Sequence, residues 1–203
     1  MYLYSKKIHN FPKDQNVVLV GLPGSGKTTL GKCLSHQMGM GFLDLDQAIE
    51  KLEKKKLFEV WENKGEPYFR DLESRSVVAL GGLRNHVLAV GGGALQNDEN
   101  LNVIQSLGLL VWLDVPPRVI ALRLHGDRSF LKNRLPLADL IEEQEKDRRF
   151  ENVCARLEVL QGQRNVQYKR SPLVLRDSNS APEECARRVF YLISRHCAKN
   201  QRQ

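Results

Sequence analysis

The chain holds no apolar run near the ~20 residues that a membrane helix requires; the longest apolar stretches, Val17–Leu22 and Gly108–Leu113, stop at strand length. The amino-terminal segment carries Lys6, Lys7, Lys13 and Asp14 and has neither a continuous apolar region nor a small-residue cleavage site, so no secretory signal is read there and a cytoplasmic location is expected. Cysteine is scarce and scattered. Cys33, Cys154, Cys185 and Cys197 make no CxxC pair, which excludes a zinc or thioredoxin-type motif and leaves four reduced, structural thiols. With 15 Gly and 8 Pro the chain is neither collagenous nor of low complexity, and no internal repeat is present. Aromatic residues are sparse at 7%, and no block of about five or more like charges occurs. The run Lys54 to Lys56 therefore reads as a solvated helix face. A net charge of +7 suits nucleic acid or a small polyanionic substrate, and charge alone does not choose between them. No helix-turn-helix, zinc finger or aromatic-interleaved basic strand accompanies it, so no nucleic-acid partner is expected.

What is present is 203 residues, 41% of them hydrophobic and 27% charged, enough for one domain with a buried core. Short β-branched or apolar runs alternate with helix-compatible stretches. Strands are predicted at 16–20, 41–45, 86–90, 109–115 and 173–175. Helices are predicted at 27–38, 45–56, 57–63, 67–80, 97–107, 116–124, 137–161 and 182–197. That alternation implies an α/β fold with a parallel sheet covered on both faces. Residues 1–15 read as an extension, 16–198 as a single domain and 199–203 as a frayed end.

Gly21 to Thr28 reads GLPGSGKT, a full GxxxxGK[ST] P-loop placed between a predicted strand and a predicted helix. Such a loop surrounds phosphate oxygens with backbone N–H groups at a helix amino terminus, where the helix dipole also favours an anion. The ATP-binding candidates are Gly24, Ser25, Gly26, Lys27, Thr28 and Thr29. Lys27 reaches toward the β- and γ-phosphates in this pattern, and the Thr28 hydroxyl takes a magnesium position. A P-loop fixes the donor and leaves the acceptor open.

Acceptor candidates lie at other strand ends, where open α/β sheets hold their ligands. Asp44 and Asp46 follow the second strand, suited either to magnesium and proton acceptance or to capping the next helix. Gly91, Gly92 and Gly93 close the third strand, either as a flexible turn or as a surface a ligand can approach. Arg70 and Arg164 read singly as solvated or ion-paired arginines.

In this order the motifs resemble the shikimate kinases. The resemblance runs from about Val17 to Cys197 and rests on LPGSGKTTLGK, on Asp44 and Asp46, on Phe69 to Glu73 (FRxxE), on Gly91 to Ala94 (GGGA) and on Arg164 to Tyr168 (RxxxY). It implies a P-loop kinase fold with five parallel strands in the order 2-3-1-4-5, substrate-binding helices at about 45–80 and a lid at about 126–137. It further implies ATP-dependent phosphorylation of the 3-hydroxyl of shikimate, with Mg2+ as cofactor. Asp46 would orient the hydroxyl and act as base, Asp44 would hold magnesium with Thr28, and Lys27 and a lid arginine would serve the phosphates. Arg70 and Arg164 would grip the substrate carboxylate, with Gly91, Gly92 and Gly93 lining the ring.

The lid departs from the family pattern, which carries RPLL. Here it reads GDRSFLKNRLPL, so Arg128 is the favoured phosphate arginine and Arg134 the alternate. The helical stretch that follows is longer than usual. Rival readings are a gluconate or nucleoside monophosphate kinase of the same architecture, or a degenerate kinase-like binding module motivated by the basic end from Arg187 to Arg202. A monomer is expected.

Overall fold

A computed structural model describes residues 11–125, 137, 146–176 and 180–200. Five strands form one parallel sheet: β1 (Asn16–Gly21), β2 (Gly41–Asp44), β3 (His86–Ala89), β4 (Gly108–Leu113) and β5 (Leu173–Leu175). Their order is β2-β3-β1-β4-β5, as the family resemblance implies. The helices are α1 (Lys27–Met38), α2 (Leu45–Glu53), α3 (Leu57–Ala79), α4 (Asp98–Leu107), α5 (Pro117–Leu124), α6 (Lys146–Tyr168) and α7 (Pro182–Asn200).

The central strand explains why β1 reads as an unbroken apolar run. Val18 and Val20 belong to one core with Leu88, Val90, Leu110 and Trp112. Val17 and Leu19 belong to the other, with Val87, Leu109, Val111 and Leu113, and there they meet Leu30 and Leu34 of α1 and Val189 and Ile193 of α7. Side chains alternate across a strand, so a strand covered on both faces must be apolar at every position. Each such side chain contributes ~1.5–3 kcal/mol on burial.

At the amino end of the sheet, Asn16 is fully buried and ties three segments together. Its Nδ2 donates to the carbonyls of Leu83 at 2.8 Å and Leu107 at 2.9 Å, and its Oδ1 accepts from the His86 amide at 3.0 Å. These bonds fix where β1, β3 and the end of α4 stand, and so hold the carboxyl ends of the strands level.

Several boundaries differ from the sequence expectation, α2 ending at Glu53 in place of Lys56 and β4 at Leu113 in place of Val115. The helices expected at 57–63 and 67–80 form one helical run, α3, kinked at Gly65 with φ 78° and ψ 170°. A side chain rarely adopts that φ, so glycine permits the turn, and Pro67 follows where it forgoes no helical donor. The charged helix expected to end at Gln161 runs on to Tyr168, carrying Arg164 and Tyr168 on its final turns, while its expected beginning at 138–145 lies outside the described residues. Helix α7 continues past the expected end at Cys197 to Asn200. All four cysteines are free thiols.

Candidate active site

The nucleotide half is local in sequence. β1 ends at Gly21, the loop turns through Gly24 (φ 79°) and Gly26 (φ 96°), and α1 begins at Lys27. Gly26 takes the amino-terminal cap position of α1 in the left-handed region and supplies no side-chain cap, which leaves the first-turn amides of the helix open to an anion. The Lys27 ammonium donates to the carbonyls of Gly21 and Leu22, both at 3.0 Å, and so lies folded over the loop that it serves. Ser25 is buried, and its hydroxyl has no hydrogen-bond partner.

Asp44 caps α2 and also turns its other oxygen toward Thr28. Its Oδ1 accepts from the Gln47 amide at 3.3 Å, capping α2, while its Oδ2 accepts from Thr28 Oγ1 at 2.5 Å. Two hard oxygen donors thus face each other beside the P-loop. This is a donor set that fits Mg2+, which is bound by one or two protein oxygens and completes its shell with phosphates and water.

The acceptor half is assembled from four separate segments that meet on the glycine turn after β3. A Cβ added at Gly91 would lie 3.1 Å from Asp46 Oδ1, one at Gly92 would lie 2.9 Å from Arg164 Nη1, and one at Gly93 would lie 2.7 Å from Arg70 Nη1. Side chains at these positions would displace the three charged groups, which is why the turn is built from residues without one. Arg70 donates from Nη1 to Glu73 at 2.8 Å and from Nε to Glu66 at 3.3 Å. Glu73 is 5% exposed. Burial pushes its carboxyl above the ordinary range, and the neighbouring Arg70 guanidinium partly offsets this. Arg164, also buried, approaches from α6.

A cleft of about 590 Å³ joins the two halves. Its lining takes in Gly24 to Leu30, Asp44, Asp46, Gln47 and Gly91, and extends on the other side to Arg123, Leu175, Ser180, Pro182 and Cys185. Every site residue expected from the sequence and described by the structure falls on this cleft or on the glycine turn beside it. Arg128 and Arg134 lie outside the described residues. Three participants were not assigned from sequence: Glu73 one turn after Arg70, Tyr168 one turn after Arg164, and Cys185, read as purely structural, on the cleft wall. The i,i+3 and i,i+4 spacings within FRxxE and RxxxY are the signals that pair the first two with their arginines.

A P-loop small-molecule kinase is the class that this fold and cleft define. Residues 23–193 match the family model described as Shikimate kinase. The shikimate kinase of Persephonella marina is 42% identical over 135 residues, 65% of this chain and 82% of its own length. That of Parasynechococcus marenigrum is 33% identical over 179 residues, 88% and 86% of the two lengths. Among solved structures, shikimate kinase from Acinetobacter baumannii in complex with shikimate superposes with a TM-score of 0.78 at 29% identity, covering 92% of this chain and 96% of that one. A gluconokinase from Sinorhizobium meliloti shares the fold alone, at a TM-score of 0.55 and 16% identity. The chain belongs to the shikimate kinase family and is an ATP-dependent kinase.

Proposed function

We propose the following division of labour for the phosphorylation of the 3-hydroxyl of shikimate by ATP, the reaction of the family to which the chain belongs. It yields shikimate 3-phosphate and ADP on the route to chorismate and the aromatic amino acids. The observation that carries the reading is the convergence of Asp46, Arg70 and Arg164 on Gly91 to Gly93, beside the P-loop.

The P-loop amides and Lys27 bind the triphosphate. For Lys27 this exchanges the carbonyls of Gly21 and Leu22 for phosphate oxygens, so the ammonium is never left without acceptors. Thr28 and Asp44 hold Mg2+, which when bound offsets charge on the β- and γ-phosphates. Arg70 and Arg164 receive the carboxylate of the acid, each guanidinium presenting a planar fork that a lysine lacks. That anchoring turns the 3-hydroxyl toward Asp46, which orients it and accepts its proton as the oxygen attacks the γ-phosphorus. Transfer then needs little beyond alignment and charge neutralisation, and rigid strand ends supply both. Arg128 is assigned to the phosphates from the lid, with Arg134 the alternate.

The reading keeps the expectation of a monomer. Among the described residues no helix is long and apolar enough to cross a membrane. The reading keeps the expectation of a cytoplasmic enzyme, with ATP and shikimate as its small-molecule partners. The test is ADP release with ATP and magnesium against shikimate, gluconate and a panel of nucleoside monophosphates. Shikimate alone is expected to raise the rate above the background without acceptor; a faster rate with another acceptor overturns the reading.

A further inference from the structure

Two buried polar atoms stand beside the glycine turn, Arg164 Nε and the Tyr168 hydroxyl, neither with a well-formed hydrogen bond among the described residues. Tyr168 is wholly buried and lies one helical turn after Arg164 on α6. Its ring stacks on Trp112 of β4, with centroids 5.7 Å apart and planes 27° from parallel. That stacking fixes the hydroxyl against the main chain of Gly92, so closely that the oxygen occupies the space a Cβ there would need. The same missing Cβ would also touch Arg164 Nη1 at 2.9 Å. The hydroxyl is thus wedged between the glycine turn and the guanidinium.

We infer that Tyr168 is a positioning residue, whose hydroxyl holds the Arg164 guanidinium and the Gly92 main chain in the arrangement that receives the substrate carboxylate. A hydroxyl this deeply buried, with no well-formed hydrogen bond among the described residues and Arg164 as its charged neighbour, is costly to keep, so its retention calls for a task. Space filling alone would be met by phenylalanine, which stacks on Trp112 equally well. Burial pushes the phenol above its ordinary value, with Arg164 partly offsetting the rise, so the group acts as a neutral dipole and not as an acid or base. Its oxygen and the Gly21 carbonyl are the neutral acceptors that surround the Arg164 guanidinium at Gly92, and of the two only the hydroxyl belongs to a side chain.

The inference rests on Arg164 gripping the carboxylate, and the experiment separates the two claims. Steady-state kinetics for shikimate and for ATP are measured on the parent, Tyr168→Phe, Arg164→Lys and the double variant, each with a thermal melt. Tyr168→Phe is expected to raise the KM for shikimate ~10-fold, the scale of one hydrogen bond to a charged group, with kcat and the KM for ATP held within ~2-fold. In the Arg164→Lys background the same change should shift the shikimate KM by less than ~2-fold, because its target is gone. Equal losses toward both substrates, full additivity with Arg164→Lys, or failure of Tyr168→Phe to fold would each make the hydroxyl a scaffold element and overturn the inference. Should Tyr168→Phe leave the shikimate KM unchanged while Arg164→Lys raises it, only the role of Tyr168 falls. If Arg164→Lys itself leaves that KM unchanged, the carboxylate clamp falls and this inference with it.

Discussion

The two ends of the cleft hold anions by different means. The nucleotide end is one loop and one helix start, residues 21 to 29, and its binding groups are backbone amides together with a single lysine. The acceptor end takes Asp46 from α2, Arg70 and Glu73 from α3, the glycine turn after β3, and Arg164 and Tyr168 from α6. On the proposed reading, a triphosphate meets a local fold that carries its own dipole, whereas a small carboxylate meets long side chains that other side chains must hold in place. The first design tolerates change elsewhere in the molecule. The second depends on the whole sheet keeping its strand ends level.

That contrast is broken most severely at the junction of the two ends. Asp46→Asn should lower kcat by about 10²–10⁴-fold, the range for loss of a general base, while leaving ATP affinity nearly intact; a matching loss of nucleotide binding, read by equilibrium titration, would place Asp46 in the other half. Replacement of Arg128 by Ala should cost ~10³-fold in kcat, with the shikimate KM little changed. The same substitution at Arg134 serves as the comparison, and a larger loss there would exchange the two assignments.

Asn16 tests the scaffold apart from either end. Asn16→Ala strands the carbonyls of Leu83 and Leu107 and the His86 amide. It should lower unfolding free energy by about 3 kcal/mol in a denaturant titration, with both KM values near those of the parent under folding conditions. Arg70→Lys should raise the shikimate KM about 10-fold by removing the fork, and an unchanged value removes Arg70 from the clamp.

The smallest effect is a pH dependence at Glu73. Its carboxyl is raised in the folded protein, so the native state binds more protons than the unfolded chain, and Glu73 favours stability most at low pH. That contribution is lost as pH rises from the ordinary carboxylate range through the raised value. The stability of the parent relative to Glu73→Gln should therefore fall across that window in melts taken at successive pH values; a flat or rising difference would show that the Arg70 ion pair outweighs burial.

The same contrast governs how much was legible in the sequence. GLPGSGKT could be read outright because its parts are adjacent and its flanking strand and helix are written beside it. Arg70, Gly92 and Arg164 each looked ordinary alone, since nothing local says that residues 70, 92 and 164 meet; only the ordered resemblance joined them. Asp44 was posed as either a cap or a metal ligand, and the cap on α2 uses one of its two oxygens and leaves the other against Thr28. The helix carrying Arg164 was ended too early because charged residues crowd both of its faces and blur the apolar period that marks a helix. Gly65 and Pro67 looked like a boundary between helices and are instead a kink within one.

Asn16 also sets a schedule for the newborn chain. β1 pairs only with β3 and β4, both made later, and the last of its locking bonds joins a residue 91 positions downstream. At about 5–20 residues per second this is roughly 5 to 18 s of synthesis before the central strand of the sheet has its full set of neighbours. The segment that ends up deepest in the sheet is thus the one exposed longest on the ribosome, and it is where a chaperone would find its earliest hold.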